Sequence, residues 1–376
     1  MADSGERILV TGGAGFVGSF LVDELVRQGH RVRIFDSLDP QVHPGGAPPA
    51  HLNRGAEFVK GDVRDLDAFR RAVAGVDAVY HLAAAVGVGQ SRYAVKYYVD
   101  VNCGGTANLL EILANAKLPV RKVVVMASMS SYGEGLYRCE NCGDVRPDLR
   151  TEAAMARGEW EPRCPACGGE ISAVATPETA VQNCNSIYAL TKKFQEDSVL
   201  NIGRTYGIPS VALRAFNIYG PRQSLSNPYT GVAAIFLSRL KCGERPYVYE
   251  DGLQTRDFVS VHDIVAVLDL MRRKSEADYR SFNVGNGRPV AVKEIGETLA
   301  SLLKVDLPPN VAGQFRKGDV RHCYADVSEL RTRLGYAPRV SFRDGMEELI
   351  RWSREAKAED KFGAAMKELA SKGLVT

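Results

Sequence analysis

No stretch of this 376-residue chain approaches the ~18 consecutive apolar residues of a membrane-spanning helix, which excludes a helical membrane protein. Excess charge is missing as well. Lysine and arginine number 48 against 45 acidic residues, a net charge of +3. That balance supplies neither the basic field of a nucleic-acid binder nor a patch for anionic lipid. No basic-then-apolar leader precedes the first apolar run, because "MADSGERILVTGG" enters a strand pattern at once. The expectation is a cytoplasmic protein with reduced thiols. Internal repeats and low-complexity tracts are also absent. The length exceeds what one core usually serves, so two lobes are expected.

Four of the eight cysteines, Cys103, Cys184, Cys242 and Cys323, share no spacing, and a scattered cysteine in a reducing compartment is most often a small buried apolar residue. The other four form two Cys-x-x-Cys pairs, Cys139/Cys142 and Cys164/Cys167, separated by 21 residues. This is the spacing of a four-thiolate zinc ribbon, with Gly143 and Gly168 following the pairs as knuckle glycines. Four protein thiolates close the coordination sphere, so the expected role is structural.

The runs "RILVTGG", "RVRIFD", "AEFVKGD", "DAVYHLAA", "RKVVVMAS" and "PSVALRAFN" alternate with helix-length amphipathic segments. Near-continuous apolar strands between helices predict an α/β fold, a doubly wound parallel sheet covered on both faces. After Asn217 the rhythm loosens into a smaller α+β lobe, and residues 357–376 read as a mostly exposed helix.

"TGGAGFVGS" sets Gly12, Gly15 and Gly18 between the first strand and a helix, where free N–H groups suit a pyrophosphate. Asp36 ends the second strand, 18 residues beyond Gly18. A carboxylate there accepts ribose hydroxyls of NAD and repels the 2′-phosphate of NADP. Asp62, in "KGDV", is a candidate for the adenine side. "NSIYALTKK" holds Tyr188 and Lys192 four apart, on one helix face. A phenol with an ordinary pKa of ~10 is a poor base at neutral pH. A lysine ammonium one turn away, together with a positive nicotinamide ring, favours the phenolate. Ser128, at the end of "RKVVVMAS", offers a second hydrogen bond to the same substrate oxygen. A hydrolytic serine is rejected, since the Gly-x-Ser-x-Gly elbow and a matched His/Asp pair are missing. His81 and His262 have no partner at metal spacing and read as structural.

Together, Gly12/Gly15/Gly18, "HLAA" at 81–84, Ser128, Tyr188/Lys192 and "RAFNIYGPRQ" at 214–223 resemble the extended short-chain dehydrogenase/reductases, specifically the nucleotide-sugar epimerases and dehydratases. The resemblance implies a Rossmann-type domain that binds NAD through these glycines, Phe16, Asp36, Asp62, Val63, Ala83, Tyr188 and Lys192. "RDFVSVHDI" at 256–264 and "FRKGDVRHCYAD" at 315–326 are similar to substrate-lobe motifs. They imply that Asn217, Arg256, Arg316 and Asp319 meet a nucleotide-diphosphate sugar, guanidinium forks suiting phosphate oxygens. Cys323 falls where related enzymes limit sugar size, with core filling as its plainer role.

Dehydratases of the family follow this serine position with an Asp-Glu pair, and decarboxylases place a Glu two residues on. Here Met129 and Ser130 follow. The resemblance therefore implies a 4-epimerase: Tyr188 takes the 4-hydroxyl proton, hydride passes to tightly held NAD, and the keto sugar turns before reduction. A branch acting on dTDP-L-rhamnose fits "AAAVGVGQSRY" and "GPRQSLSNPYTGVAAIF", with UDP-hexose or UDP-uronic acid as alternatives. A 4-ketoreductase is the rival within oxidoreductases, and Asp36 argues against its usual NADPH. A binding scaffold without catalysis is the rival outside them, and the intact Ser128/Tyr188/Lys192 set argues against it.

The expected organisation follows from the resemblance. Residues 1–135 and 177–217 form the cofactor domain, and 218–356 mainly the substrate lobe, with about 256–284 returning to the first. Residues 136–176 are an insertion between Ser128 and Tyr188, holding five Arg and no Lys against seven acidic residues, which disfavours nucleic acid. Its proximity to both catalytic segments suggests that it overhangs the sugar site or meets a second subunit. A homodimer through helices around 93–117 and 186–206 is expected by family analogy.

Overall fold

The computed structural model describes residues 5–229 and 231–376. Strand β1 (Arg7–Thr11) carries Ile8, Leu9 and Val10, none with solvent exposure. Successive strand side chains point to opposite faces, so Ile8 and Val10 enter one core and Leu9 another. The run is apolar without alternation because the sheet has no wet face. β2 (Arg31–Asp36), β4 (Ala78–His81) and the fully buried β5 (Lys122–Ser128) follow the same logic, whereas β3 (Glu57–Lys60), at the sheet edge, has no fully buried residue.

The chain then leaves the sheet. β6 (Leu136–Cys139), β7 (Gly143–Val145) and β8 (Ser172–Val174) make a separate antiparallel sheet with β6 in the middle. β9 (Ser210–Ala215) rejoins the main sheet. Next come β10 (Asn217–Tyr219), β11 (Tyr247–Val248), β12 (Thr255–Ser260), β13 (Arg280–Val284), β14 (Pro289–Ala291), β15 (Asn310–Val311) and β16 (His322–Cys323).

The main sheet runs β13-β9-β5-β4-β1-β2-β3, parallel throughout. This is the Rossmann-type doubly wound order. Winding reverses between β1 and β4, and a crevice opens there beyond the carboxyl ends of the strands. β10, β12, β14 and β16 form the sheet of the smaller lobe, whose core includes Phe236, Leu237, Phe258, Ile295 and Leu299.

Three features differ from the sequence reading. β12 pairs within the smaller lobe's sheet and buries Phe258 there, while its Val259 already packs in the large core, ahead of the helix Val261–Arg273, which packs Ile264, Val267 and Leu268 beside Leu21 and Val22. Leu330, Leu334 and Tyr336 also join that core. The helix Phe362–Ser371 is exposed on one face only. Its Ala365 and Leu369 are buried, and beyond it Leu374 and Thr376 exchange backbone hydrogen bonds with Lys317 and Phe315. Among the described residues, no helix is long and apolar enough to cross a membrane.

Candidate active site

The turn after β1 is built by sterics. Gly12 has φ +69°, and a Cβ on it would lie 2.9 Å from the Ala83 nitrogen. A Cβ on Gly18 would fall 2.2 Å from the Gly12 carbonyl oxygen. Helix Phe16–Arg27 starts at Gly15 with no side-chain cap and no acidic residue in its first turn. Its first N–H groups are thus left for an anion. Asp36 accepts from the N–H groups of Ala14 (3.0 Å) and Leu38 (2.9 Å), which fixes the carboxylate at the crevice edge. Asp62 lies two residues beyond β3, and the hydrogen-bonded Arg64 holds its carboxyl below the usual range.

One cavity of about 640 Å³ gathers nearly all of the expected residues. Gly12, Gly15, Phe16 and Gly18 line it, as do Asp36, Asp62, Val63 and Ala83. Ser128, Tyr188 and Lys192 follow, and the smaller lobe adds Asn217, Arg256, Arg316 and Asp319. Cys323 is the exception. It is 1% exposed and packs in a cluster with Met129, Tyr132 and Phe216, outside the cavity wall. It stands directly behind Met129 and Phe216, which do line the cavity.

Ser128 closes β5 in extended conformation, and its Oγ accepts from the Ser130 hydroxyl at 2.9 Å. Ser186 caps the helix Ile187–Tyr206, so Tyr188 sits in its first turn. The Tyr98 ring meets Tyr188 edge-on at 6.3 Å. Burial pushes the Tyr188 phenol up to about 12, partly offset by the Ser128 hydroxyl, and burial pulls Lys192 down to about 7. The expected depression of Tyr188 by Lys192 is therefore not present in the protein by itself. Desolvation dominates both groups, and the positive cofactor ring is the remaining part of that expectation.

Lys192 is held by a buried chain that sequence reasoning missed. Its Nζ donates to the Met126 carbonyl (2.7 Å) and the Gln195 side chain (2.9 Å). Gln195 donates to Thr106 Oγ1, which also meets His81 Nε2, and His81 Nδ1 meets Thr11 Oγ1. Burial keeps His81 neutral, pulling it down to about 3. His262 pairs with Glu348. Asn102, in a wide π-turn at Val99–Gly104, brackets the Ala85 backbone and donates to Thr191, so that the loop over the crevice is tied to the helix of Tyr188. Three buried side-chain oxygens on cavity-lining residues, Asn217 Oδ1, Gln223 Oε1 and Gln254 Oε1, have no partner among the described residues. Unpaired buried acceptors are costly, and all three belong to residues of the cavity wall. Only Asn217 was expected.

The second cluster lies in the insertion. The Sγ atoms of Cys139, Cys142, Cys164 and Cys167 all lie within 4.8 Å of one another. A tetrahedron with Zn–S bonds of ~2.3 Å requires sulfurs roughly 3.8 Å apart. Gly143 and Gly168 take φ +75° and +73°, the left-handed turns that fold each pair back. The N–H groups of Cys167 and then Ala166 aim at the Cys164 sulfur and draw its thiol down to about 7. The donor set fits a zinc ion. No residue of 136–176 lines the large cavity, so the expectation that the insertion overhangs the sugar site is not met.

A Rossmann-type sheet with a serine, a tyrosine and a lysine beside the dinucleotide crevice defines an enzyme of the short-chain dehydrogenase/reductase class. Comparison narrows the class. Residues 8–152 match the NAD dependent epimerase/dehydratase family, and residues 167–349 match GDP-mannose 4,6 dehydratase, the break falling inside the insertion. The chain is 33% identical to dTDP-L-rhamnose 4-epimerase of Burkholderia thailandensis, over 93% of this chain and 95% of that one. The UDP-glucose 4-epimerase of Thermotoga maritima, solved with UDP-glucose, superposes with TM-score 0.76 at 29% identity, covering 93% of this chain and 99% of the other. The Thermus thermophilus UDP-glucose 4-epimerase, solved with NAD, gives TM-score 0.73 at 27% identity, covering 93% and 100%. The chain belongs to the NAD-dependent nucleotide-sugar epimerase/dehydratase family.

Proposed function

We propose that this enzyme inverts C4 of a nucleotide-diphosphate sugar, with dTDP-L-rhamnose and dTDP-6-deoxy-L-talose as the leading pair. One observation carries the choice of reaction. Among the described residues, the only carboxylates lining the cavity are Asp36, Asp39, Asp62 and Asp319. The first three belong to the region of the glycine turn and β2–β3, and Asp319 is paired with Arg316 at 2.7 Å. Beside Ser128 stands a hydroxyl, Ser130, rather than an acid. Elimination and decarboxylation each need a carboxyl group there, and simple oxidation and re-reduction do not. The likeness to a dTDP-L-rhamnose 4-epimerase favours that sugar, and the likeness to enzymes solved with UDP-glucose supports UDP-hexose or UDP-uronic acid as the second reading.

In this reading NAD, when bound, supplies a reversible hydride acceptor for C4 and a positive ring near Tyr188. Tyr188 removes and later returns the 4-hydroxyl proton, with Ser128 hydrogen-bonded to the same oxygen. Asn217, Arg256 and Arg316 hold the diphosphate, which leaves the sugar free to present either face. The four cysteines hold a structural zinc ion, and the enzyme is a homodimer.

The test is incubation of the purified enzyme with a panel of dTDP- and UDP-sugars, without added cofactor, read by NMR. Interconversion at C4 is expected. Turnover only with stoichiometric NADH or NADPH identifies a ketoreductase instead.

A further inference from the structure

We propose that the cysteine-bearing insertion positions the loop Phe315–Cys323, and through it the two arginines that face the cavity, so that it sets affinity for the diphosphate of the substrate. This rests on the nucleotide-sugar reading of the cavity. The insertion contributes nothing to the cavity wall, yet its side chains converge on this loop. Arg150 forks onto Glu250 at 2.8 and 2.9 Å, both side chains no more than 3% exposed, and also donates to the Asp319 carbonyl at 3.1 Å. Glu161 accepts from Arg321 at 2.6 and 2.9 Å and meets His322 at 3.0 Å. Glu152 pairs with Lys317 at 2.9 Å, and the Trp160 ring packs edge-on against Phe315.

Arg321 is the hub. It has no solvent exposure, and Glu161, Glu250 and Asp251 surround its guanidinium while Glu134 accepts from its N–H. Glu250 therefore binds Arg150 of the insertion and Arg321 of the loop together. Buried ion clusters lose most when one member is removed, since the remaining charges stay desolvated and unmatched.

The loop passes this constraint to the cavity. Arg256 donates to the carbonyls of Val320 (2.6 Å) and Arg321 (3.0 Å), and Arg316 pairs with Asp319 on the same turn. Gly318 O takes hydrogen bonds from Arg92 and Asn185 on the opposite side. Arg256, Arg316 and Asp319 all line the cavity, so a shift of the loop moves the guanidiniums that recognise phosphate. Arg150 and Glu161 are thus positioning residues. Neither touches the cavity.

The experiment uses Arg150→Gln, Arg150→Lys and the half-exposed Glu161→Gln in the intact enzyme with its cofactor. Titration calorimetry with UDP and dTDP, NAD content, and kcat and KM on the active sugar are measured together. Arg150→Gln should weaken the better-bound diphosphate and raise KM by about tenfold, roughly one 1.4 kcal/mol step. Bound NAD stays unchanged and kcat holds within about threefold. Glu161→Gln should move affinity the same way by less, and Arg150→Lys should recover part of the loss. Unchanged diphosphate affinity in both Arg150→Gln and Glu161→Gln overturns the inference. So does a fall in kcat and NAD content with KM unaltered. If the wild-type protein binds neither UDP nor dTDP, the nucleotide-sugar reading fails and the inference with it. Normal wild-type binding with indifferent variants defeats the inference alone.

Discussion

Lys192 donates to the backbone carbonyl of Met126 at 2.7 Å and so ties the helix of Tyr188 to the strand that ends in Ser128. The three expected catalytic side chains are held by one buried junction. The lysine also bonds Gln195, and its burial draws its pKa from 10.5 down to about 7.

That shift has a stability signature. Between pH 7 and 10.5 the unfolded chain keeps a proton on this lysine that the folded protein has released, so stability rises with pH across the window. Wild-type, cofactor-free protein should gain on the order of 1–2 kcal/mol from about pH 7 to 8.5, a range below the titration of buried tyrosines. Lys192→Met should flatten that rise. Urea unfolding at the two pH values measures it, and parallel curves for the two proteins refute it.

The thiolate cluster predicts about one zinc per chain, since four protein sulfurs leave no position for exchange with substrate. Cys139→Ser and Cys164→Ser remove the two buried ligands and should release the metal. They should also make residues 136–176 an early site of proteolysis. Elemental analysis of wild type and variants decides the point. A metal-free wild type, or metal retained in both variants, excludes the zinc site.

What the sequence made legible was local. The middles of β1 and β5 are apolar without alternation because both sheet faces are covered, and the glycine turn is written in residues that admit no Cβ. Tyr188 and Lys192 share a face because they lie one turn apart. The rest depends on contacts across long stretches of chain. Arg150 meets Glu250 a hundred residues away, and Glu161 meets Arg321 across 160. No periodicity announces such pairs. Cys323 sits in a motif suggestive of the sugar site, but packing turned its thiol into the core. The buried fork between Glu196, on the helix of Tyr188, and Arg214, on β9, was likewise announced by no spacing.

Assembly gives a third prediction. Leu190 and Phe194 lie four apart on the helix Ile187–Tyr206, 52% and 41% exposed, and Val95 and Val99 on the adjoining segment are 42% and 40% exposed. A second copy of this surface would cover all four. Leu190→Glu with Phe194→Glu should convert the proposed dimer into monomer, since losing two central apolar anchors costs roughly 2 kcal/mol or more each. Size-exclusion chromatography with light scattering reads the mass. A wild-type monomer, or a double variant that stays dimeric, places the interface elsewhere or removes it.

The segment 362–376 gives the last. Phe362, Ala365, Met366, Leu369 and Leu374 line the cavity, and the exposed face of the helix is what its polar residues had suggested. The Phe362 ring packs against Tyr247 at 5.3 Å, with the Arg239 guanidinium over it at 4.8 Å, and Glu368 accepts from the Tyr229 hydroxyl at 2.8 Å. Beyond the helix, Leu374 and Thr376 bond the backbone of Lys317 and Phe315, next to Arg316. Burying Leu369 contributes about 1.5–3 kcal/mol to this attachment, and a carboxylate in its place would be desolvated against an apolar wall. Leu369→Glu should therefore lift the helix from the cavity. The expected result is faster trypsin cleavage at Lys361 and Lys367 and a KM raised about tenfold, a loss of ~1.4 kcal/mol. NAD content should not change, because the glycine turn and the Asp36 carboxylate are held by their own backbone contacts. Cleavage and KM at wild-type values would show that the segment covers the cavity without helping to hold what binds there.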